Sequence, residues 1–145
     1  MTGLFFVDTN ILVYARDNSE PEKQPLAREW LEHLWKTQQG RISMQVLQEY
    51  YQVVTRRLQP GLKRSIAHED IRDLMAWSPV AIDRQMLEHA WAAEERFRLS
   101  WWDALIVGAA RQAGCRYLLS EDLQNGQDLD GLTIVDPFHT PVPMG

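Results

Sequence analysis

Four acidic residues in this chain stand beside apolar segments, where their types and positions could support chemistry. Asp8 ends the apolar run "LFFV", and Asp122 follows the run "YLLS" late in the chain. Asp103 precedes the apolar segment "ALIVGAA", and Glu49 lies inside "VLQEYYQVV". Each acid alone has an ordinary interpretation as a cap, a turn residue or a solvated residue. A shared function requires that the fold bring the four side chains together.

Asp103 has two features that point in different directions. It follows Ser100 by three residues, a spacing that predicts a capping box at the start of a helix. It also precedes Ile106 and Val107 by three and four residues, which places it on the helix face expected to pack inward. A residue that only caps the helix need not lie on that face.

Glu49 borders the apolar stripe of a predicted helix. It stands three residues after Val46 and four before Val53, whereas Gln45, Gln48 and Gln52 can occupy the wetter side. A carboxylate at a buried margin needs a partner. No lysine or arginine nearby in the sequence is an obvious candidate, and a bound cation would meet the need.

The elements that must position these acids alternate between strands and helices. Apolar runs predict strands at "GLFFV", "RISM", "PVAI", "RYLLS" and "LTIVD". Amphipathic periodicity predicts helices at residues 11–16, "LAREWLEHLWK", "VLQEYYQVVTRRL", "HEDIRDLMAW", "DRQMLEHAWAAEERFR" and "WWDALIVGAARQA". Pro25 and Asp83 are placed to start two of these helices, and Gly40 and Gly114 to end two. This order predicts a three-layer α/β/α domain with a mostly parallel central sheet.

A parallel sheet binds ligands beyond the carboxyl ends of its strands, where Asp8 and Asp122 fall. If Glu49 and Asp103 reach the same edge, the four carboxylates repel one another, and some stay protonated unless a counter-charge is present. A divalent cation removes the conflict, and oxygen ligands favour Mg²⁺ or Mn²⁺ over zinc. The histidines are scattered without zinc spacing, at His33, His68, His89 and His139.

Composition narrows the class of protein. A chain of 145 residues fits one domain, residues 1–145, with an extended proline-containing tail over 137–145. No apolar run approaches the roughly 18 residues of a membrane span. The first residues lack the positive charge of a secretory signal, so we expect a cytoplasmic protein that does not contact a membrane. Cys115 is the only cysteine, and we expect a buried thiol without a catalytic role.

The charge of the chain bears on its partners. The net charge of −5 argues mildly against a nucleic-acid partner, but basic residues cluster around the turn "LQPGLKR". Such a cluster is usually a solvated surface. This basic cluster comprises Arg56, Arg57, Lys63 and Arg64.

The six tryptophans are many for a chain of this length. We expect Trp30 and Trp91 to pack internally. Trp101 and Trp102 diverge by about 100° on a helix, so one of the two must lie near the surface.

Four segments resemble, in order, the motifs of PIN-domain ribonucleases, and most closely the VapC-type toxins of toxin–antitoxin pairs. They are "FFVDTNILVYA", "ISMQVLQEYYQVVTRR", "LSWWDALIVGAA" and "YLLSEDL". The resemblance spans the chain from Val7 to about Pro137 and implies a PIN-like fold. The family's metal-binding and catalytic acids fall on Asp8, Glu49, Asp103 and Asp122.

Other positions of the family motifs also have counterparts. The hydroxyl residue near the last acid falls on Ser120, and the polar residue after the first acid falls on Asn10; both would orient the ligands of the metal. Some members carry a further acid downstream. Glu121 and Asp128 are nearby but neither matches cleanly, so the ligands of a second metal stay open.

The resemblance implies Mg²⁺- or Mn²⁺-dependent hydrolysis of phosphodiester bonds in RNA. The basic cluster would hold the RNA backbone, and unpaired segments fit a narrow cleft better than duplexes do. The resemblance also implies a homodimer that is inhibited by a cognate antitoxin, whose segment crosses the active-site cleft. A PIN nuclease of RNA processing, or a PIN module that binds RNA or protein without cutting, are the alternatives.

Two unrelated classes also begin with an apolar strand that ends in aspartate. Phosphatases of the haloacid-dehalogenase type need a second acid two residues later, where this chain has Asn10. Receiver domains need a lysine late in the chain, whereas the lysines here are Lys23, Lys36 and Lys63. The sequence therefore favours the nuclease.

Overall fold

The computed structural model describes residues 1–144 and places five strands in one sheet. The order of the strands across the sheet is β2-β1-β3-β5-β4. Every pairing is parallel except that of β4 with β5, which is antiparallel. The strands are β1 Phe5–Val7, β2 Gly40–Arg41, β3 Tyr117–Leu119, β4 Asp128–Leu129 and β5 Leu132–Val135.

Helices connect these strands and complete the predicted three-layer α/β/α fold with a mostly parallel sheet, which is confirmed. The longer connections carry helices because parallel neighbours need a crossover between them. The helices are α1 Thr9–Tyr14, α2 Lys23–Thr37, α3 Met44–Arg56, α4 Arg64–Leu74, α5 Arg84–Phe97 and α6 Trp101–Gln112, and a 3₁₀ turn at Met75–Trp77 follows α4. Among residues 1–144, no helix is long and apolar enough to cross a membrane.

The register of the central strands decides where the site forms. β1 is completely buried, and Val7 pairs with Leu119 of β3. Asp8 and Ser120 therefore leave neighbouring strands side by side at the same edge. The chain continues from β1 to β2 on one side and reaches β3 on the other, so this edge is the switch point of the sheet.

Two local predictions were wrong, and one strand was missed. The segment "PVAI" forms only an isolated bridge between Val80 and Ser43, and the short strand β4 was missed. Helix α2 ends at Thr37, with Gln38 in the left-handed conformation at φ 58°, rather than at Gly40. Gly40 belongs to β2, where a Cβ atom would lie 2.6 Å from the ring of Trp77.

The tryptophans divide between core and surface. Trp30 is buried as expected, but Trp91 is 52% exposed, so its predicted burial was wrong. Helix α5 uses Ala90 to contact Gly108 of α6, and Trp91, one residue further, is turned outward. Of the adjacent pair at the start of α6, Trp102 is 66% exposed, which confirms that one of the two lies at the surface.

The thiol of Cys115 is partly buried. Burial raises its pKa to about 12, so the thiol stays protonated near neutral pH.

The segment after β5 turns and packs back on the domain. The indole Nε1 of Trp30 donates a hydrogen bond of 3.1 Å to the carbonyl of Thr140.

Candidate active site

Asp8 lies at the carboxyl end of β1 and caps α1. Its backbone is extended, and its Oδ1 accepts a hydrogen bond of 2.7 Å from the amide of Thr9. Its Oδ2 accepts a hydrogen bond of 2.8 Å from the hydroxyl of Ser120, which is fully buried at the end of β3. One aspartate therefore serves as a helix cap and as the buried acid at the switch point.

Ser120 also positions Asp122. Its Oγ accepts a hydrogen bond of 3.1 Å from the backbone amide of Asp122 while its proton goes to Asp8. The hydroxyl therefore links the first of the four candidate acids to the last. The bond between Ser120 and Asp8 joins residues that are 112 positions apart in the sequence.

Glu49 reaches the same region from α3. Thr9, the residue after Asp8, donates its hydroxyl to Glu49 Oε2 at 2.9 Å, and Gln45 donates its amide to Oε1 at 2.9 Å. The partners of this half-buried carboxylate are neutral donors, not a lysine or arginine. Gln45 is one turn before Glu49, and its contact fixes the side chain along the helix.

Asp103 lies in the first turn of α6, whose N-cap is Ser100. The hydroxyl of Ser100 accepts a hydrogen bond of 3.2 Å from the amide of Asp103, which is the first of the two bonds of a capping box. The side chain of Asp103 is half-buried. Its charge acts on Asp122, so α6 contributes to the same field as the strand ends.

The negative charges of the four acids act on one another: those of Asp122 and Glu49 act on Asp8, and that of Asp103 acts on Asp122. Burial, followed by the charges of Asp122 and Glu49, raises the pKa of Asp8 to about 7, although the hydrogen bonds from Ser120 and Thr9 oppose the shift. Partial burial, followed by the charges of Asp103 and Glu121, raises the pKa of Asp122. The site therefore has more negative charge than its own donors neutralise.

The possible metal ligands at this site are carboxylate and amide oxygens, which are the ligands that hard divalent cations prefer. Among residues 1–144, no three Asp, Glu, His or Cys side chains already form a metal-binding group, so the carboxylates must draw closer to bind. The side-chain amide of Asn10 is buried, and neither its oxygen nor its nitrogen has a hydrogen-bond partner. It lies close enough to Asp122 to lower the pKa of that carboxyl. A buried amide without partners costs about 1–3 kcal/mol, which a cation with its water ligands would offset. Oxygen donors with excess negative charge fit Mg²⁺ or Mn²⁺.

The sequence left open whether Glu121 or Asp128 is a ligand of a second metal. Glu121 lies beside Asp122, but its carboxylate accepts hydrogen bonds from Tyr14 and Lys23. Asp128 is exposed on β4 and accepts a hydrogen bond of 2.8 Å from the amide of Gly131. Asp128 therefore belongs to the turn between β4 and β5.

The basic cluster stays together at the junction of α3 and α4. Arg56 is the last residue of α3 and Arg57 caps it, Lys63 caps α4 and Arg64 is its first residue, and all four are exposed. Arg56 follows Glu49 by two helical turns, or about 10 Å along the axis, and lies near the same side of α3. Within the described part of the chain, none of the four contacts the carboxylates directly.

Sequence reasoning missed the residues that hold the acids. Thr9 had a local signal, since a hydroxyl directly after Asp8 is placed to face an adjacent element. Lys23 and Tyr14 had none, because 98 and 107 residues separate them from Glu121.

The family model described as PIN domain matches residues 5–125. The search of curated proteins gave no match. Among solved structures, FitAcB from Neisseria gonorrhoeae is similar with a TM-score of 0.70 at 16% identity, over 94% of this chain and 100% of that one.

Two other solved structures are similar in fold. A toxin–antitoxin complex from Klebsiella pneumoniae has a TM-score of 0.63 at 19% identity, over 91% of this chain and 96% of that one. VapC20 of Mycobacterium tuberculosis, a sarcin–ricin loop cleaving toxin, has a TM-score of 0.60 at 22% identity, over 81% of this chain and 91% of that one. At these identities the likeness establishes the fold.

Proposed function

The chain belongs to the PIN-domain family, and from this premise we propose that it is a Mg²⁺- or Mn²⁺-dependent endoribonuclease. The observation that carries the proposal is the group of carboxylates at the switch point, where Ser120 joins Asp8 to the amide of Asp122 and where burial raises the pKa of Asp8 to about 7. The shared fold with VapC20, which cleaves the sarcin–ricin loop, supports RNA as the substrate class.

The carboxylates of Asp8, Glu49, Asp103 and Asp122 would hold the cation. When bound, such a cation activates the attacking water and stabilises the charge on the leaving oxygen. In the hydrolysis, the water oxygen forms a bond to phosphorus, one ester P–O bond breaks, and the leaving oxygen gains a proton.

The protein's contribution is orientation. Ser120 fixes one oxygen of Asp8, and Thr9 and Gln45 fix both oxygens of Glu49. Asn10 has a free amide beside Asp122, so it can orient water or a phosphate oxygen. Partners of this kind orient the carboxylates and limit how far they have to move when the metal and substrate arrive.

The basic cluster supplies a complementary surface for RNA. Arg56 and Arg57 lie at the end of α3 beyond Glu49, and Lys63 and Arg64 lie at the start of α4. These four cations can hold the backbone of a strand whose scissile phosphate reaches the acids. A single strand fits this arrangement because its backbone can bend from the cluster into the site.

Cleavage assays test the nuclease directly. A 5′-labelled single-stranded RNA is incubated with the protein in Mn²⁺, in Mg²⁺ and in EDTA. We expect new RNA ends only with metal, and we expect Glu49→Gln, Asp103→Asn and Asp122→Asn each to remove most of the cleavage. Full activity in any two of these variants would contradict a shared site. RNA binding without new ends would instead favour the non-cleaving PIN module.

We further propose that the nuclease is a cytoplasmic toxin, active as a homodimer and inhibited by a cognate antitoxin. The similar Klebsiella pneumoniae structure is a toxin–antitoxin complex. This chain exposes Trp91 and Trp102, and aromatic residues are enriched at interface cores. A cavity of about 200 Å³ lies between the helices; apolar Leu12, Leu31 and Trp35 line part of it and charged Arg16, Asp70 and Asp73 line another part, so it offers an antitoxin both apolar and polar contacts.

The partner proposals have separate measurements. Light scattering at micromolar concentration is expected to give the mass of a dimer, and a monomer would refute it. Expression of the protein alone should arrest growth, and co-expression with the product of a neighbouring gene should restore it. Growth unaffected by the active nuclease would favour a role in RNA processing.

A further inference from the structure

Glu121 lies between Ser120 and Asp122 on the loop after β3, and its carboxylate has partners of its own. Oε2 accepts a hydrogen bond of 2.9 Å from Lys23 Nζ, and Oε1 accepts one from the hydroxyl of Tyr14. Lys23 Nζ also donates to the Tyr14 oxygen at 3.3 Å. Both carboxylate oxygens of Glu121 are therefore engaged by residues of α1 and α2.

Two aromatic rings help to hold the ammonium group of Lys23 in place. Lys23 Nζ lies 4.8 Å from the centre of the Tyr14 ring and 5.2 Å from that of Phe138. The two rings are 5.2 Å apart and nearly perpendicular, at 87°. An ammonium within about 6 Å of an aromatic face is attracted to it. The position of Lys23 is therefore set from several directions.

The Lys23–Glu121 pair is also more sheltered than an ordinary surface pair on the same helix. The side chains of Lys23 and Glu121 are 36% and 22% exposed. Lys36 and Glu32 of α2 form a pair of similar length, 3.0 Å, but are 73% and 67% exposed. Exposed pairs contribute little because solvent screens them.

The contacts of Glu121 with Tyr14 and Lys23 add a second connection between α1 and the loop that carries Asp122. The first connection joins Asp8, at the start of α1, to Ser120. The second joins Tyr14, the last residue of α1, to Glu121. Asp122 follows Glu121 directly, so a displacement of Glu121 would displace Asp122 from the other acids.

We propose that Lys23 and Tyr14 are positioning residues that hold Glu121 as an anchor for Asp122, and that Glu121 is not a ligand of the cation. The inference rests on the proposed function and names the residues that order one side of its site. It also explains how a carboxylate next to Asp122 stays out of the metal-binding set: the ammonium group of Lys23 neutralises Glu121, whereas the partners of Glu49 are neutral donors.

Calorimetric titration of the metal-free protein with Mn²⁺ separates an anchor from a ligand. Glu121→Gln can still accept from Lys23 and donate to Tyr14, so Mn²⁺ affinity should change less than about threefold. Glu121→Ala loses both contacts, and its affinity should fall about tenfold or more, as for other residues that orient metal ligands. Loss of Mn²⁺ binding in Glu121→Gln as complete as in Asp122→Asn would make Glu121 a ligand and overturn the inference.

Lys23→Met tests the anchor by the sign of its effect. Loss of the ammonium leaves the site more negative, which by charge alone would tighten Mn²⁺ binding. The anchor predicts the opposite, a weakening of about tenfold. Lys36→Met is the matched control, since it removes a lysine ion pair from the same helix away from the site, and it should leave the affinity unchanged. Unchanged or tighter binding in Lys23→Met would overturn the inference.

Hydrogen exchange of the metal-free protein tests the anchor without metal. The amide of Asp122 is protected by its bond to Ser120, and it should exchange faster in Lys23→Met than in the wild type or in Lys36→Met. Equal exchange in all three proteins would overturn the anchor. A wild type that binds no Mn²⁺ would contradict the proposed function, while the exchange rates would still decide the anchor.

Discussion

Replacement of Asp8 with asparagine is expected to stabilise the metal-free protein at alkaline pH. Asp8 is only 7% exposed, and burial is the main reason that the pKa of its carboxyl rises from 3.8 to about 7. The unfolded chain has an ordinary carboxyl group. Between about pH 4 and pH 7 the folded protein therefore binds more protons than the unfolded chain, and stability falls as the pH rises through this window.

The size of the effect follows from the pKa. A rise from 3.8 to about 7 corresponds to about 4 kcal/mol of destabilisation once Asp8 is ionised, of which about 3 kcal/mol develops between pH 5 and pH 8. Asparagine stays neutral, can accept from the amide of Thr9 and can donate to the oxygen of Ser120. The Ser120 proton loses its acceptor, which costs about 1 kcal/mol. We therefore expect Asp8→Asn to be more stable than the wild type by about 3 kcal/mol at pH 8.

Urea unfolding in EDTA at pH 5 and pH 8 measures this difference. The wild type should lose stability relative to Asp8→Asn as the pH rises. Asp73→Asn, which changes an exposed aspartate of α4, should follow the wild type. An identical pH dependence in the wild type and Asp8→Asn, or an Asp8→Asn variant less stable than the wild type at pH 8, would refute the reasoning.

Three other substitutions test how the elements hold the site. Ser100→Ala removes the N-cap of α6 and should cost about 0.5–2 kcal/mol in thermal unfolding, with an indirect loss of activity; unchanged stability without activity would place Ser100 in the site itself. Gly108→Ala would put a Cβ atom 2.7 Å from the backbone nitrogen of Ala90, so it should cost about 1–3 kcal/mol, and an unchanged melting temperature would contradict this packing. Thr9→Val keeps the side-chain shape but removes the donor to Glu49, so Mn²⁺ affinity should fall about tenfold; an unchanged affinity by calorimetry would show that Glu49 needs no such support.

Local signals predicted the parts of this structure that depend on a few neighbouring residues. Asp83 and Ser100 cap their helices as the sequence indicated, because a cap is formed by residues within one turn. Asp8 and Asp122 were placed at strand ends because an apolar run that stops at an acid marks such an end. The parallel sheet then brought the two ends together.

Predictions failed where distant residues decide the outcome. Trp91 was expected inside, but the face of α5 that packs is chosen by small residues, Ala90 against Gly108, and not by the largest side chain. The two residues of β4 are too few to give a periodic signal. The pairing of Lys23 with Glu121 depends on the completed fold, and no local pattern in "PEKQP" indicates it.

Anomalous diffraction from crystals grown with Mn²⁺ would test the central claim most directly, because it locates the ion without reference to activity. The account predicts an anomalous peak at the carboxyl ends of β1 and β3, with oxygens of Asp8 and Asp122 about 2.0–2.2 Å from the ion. Glu49 and Asp103 should bind it directly or through water, and Glu121 should stay on Lys23 and Tyr14. A peak bound elsewhere, or a fully ordered site without a peak in saturating Mn²⁺, would contradict the account.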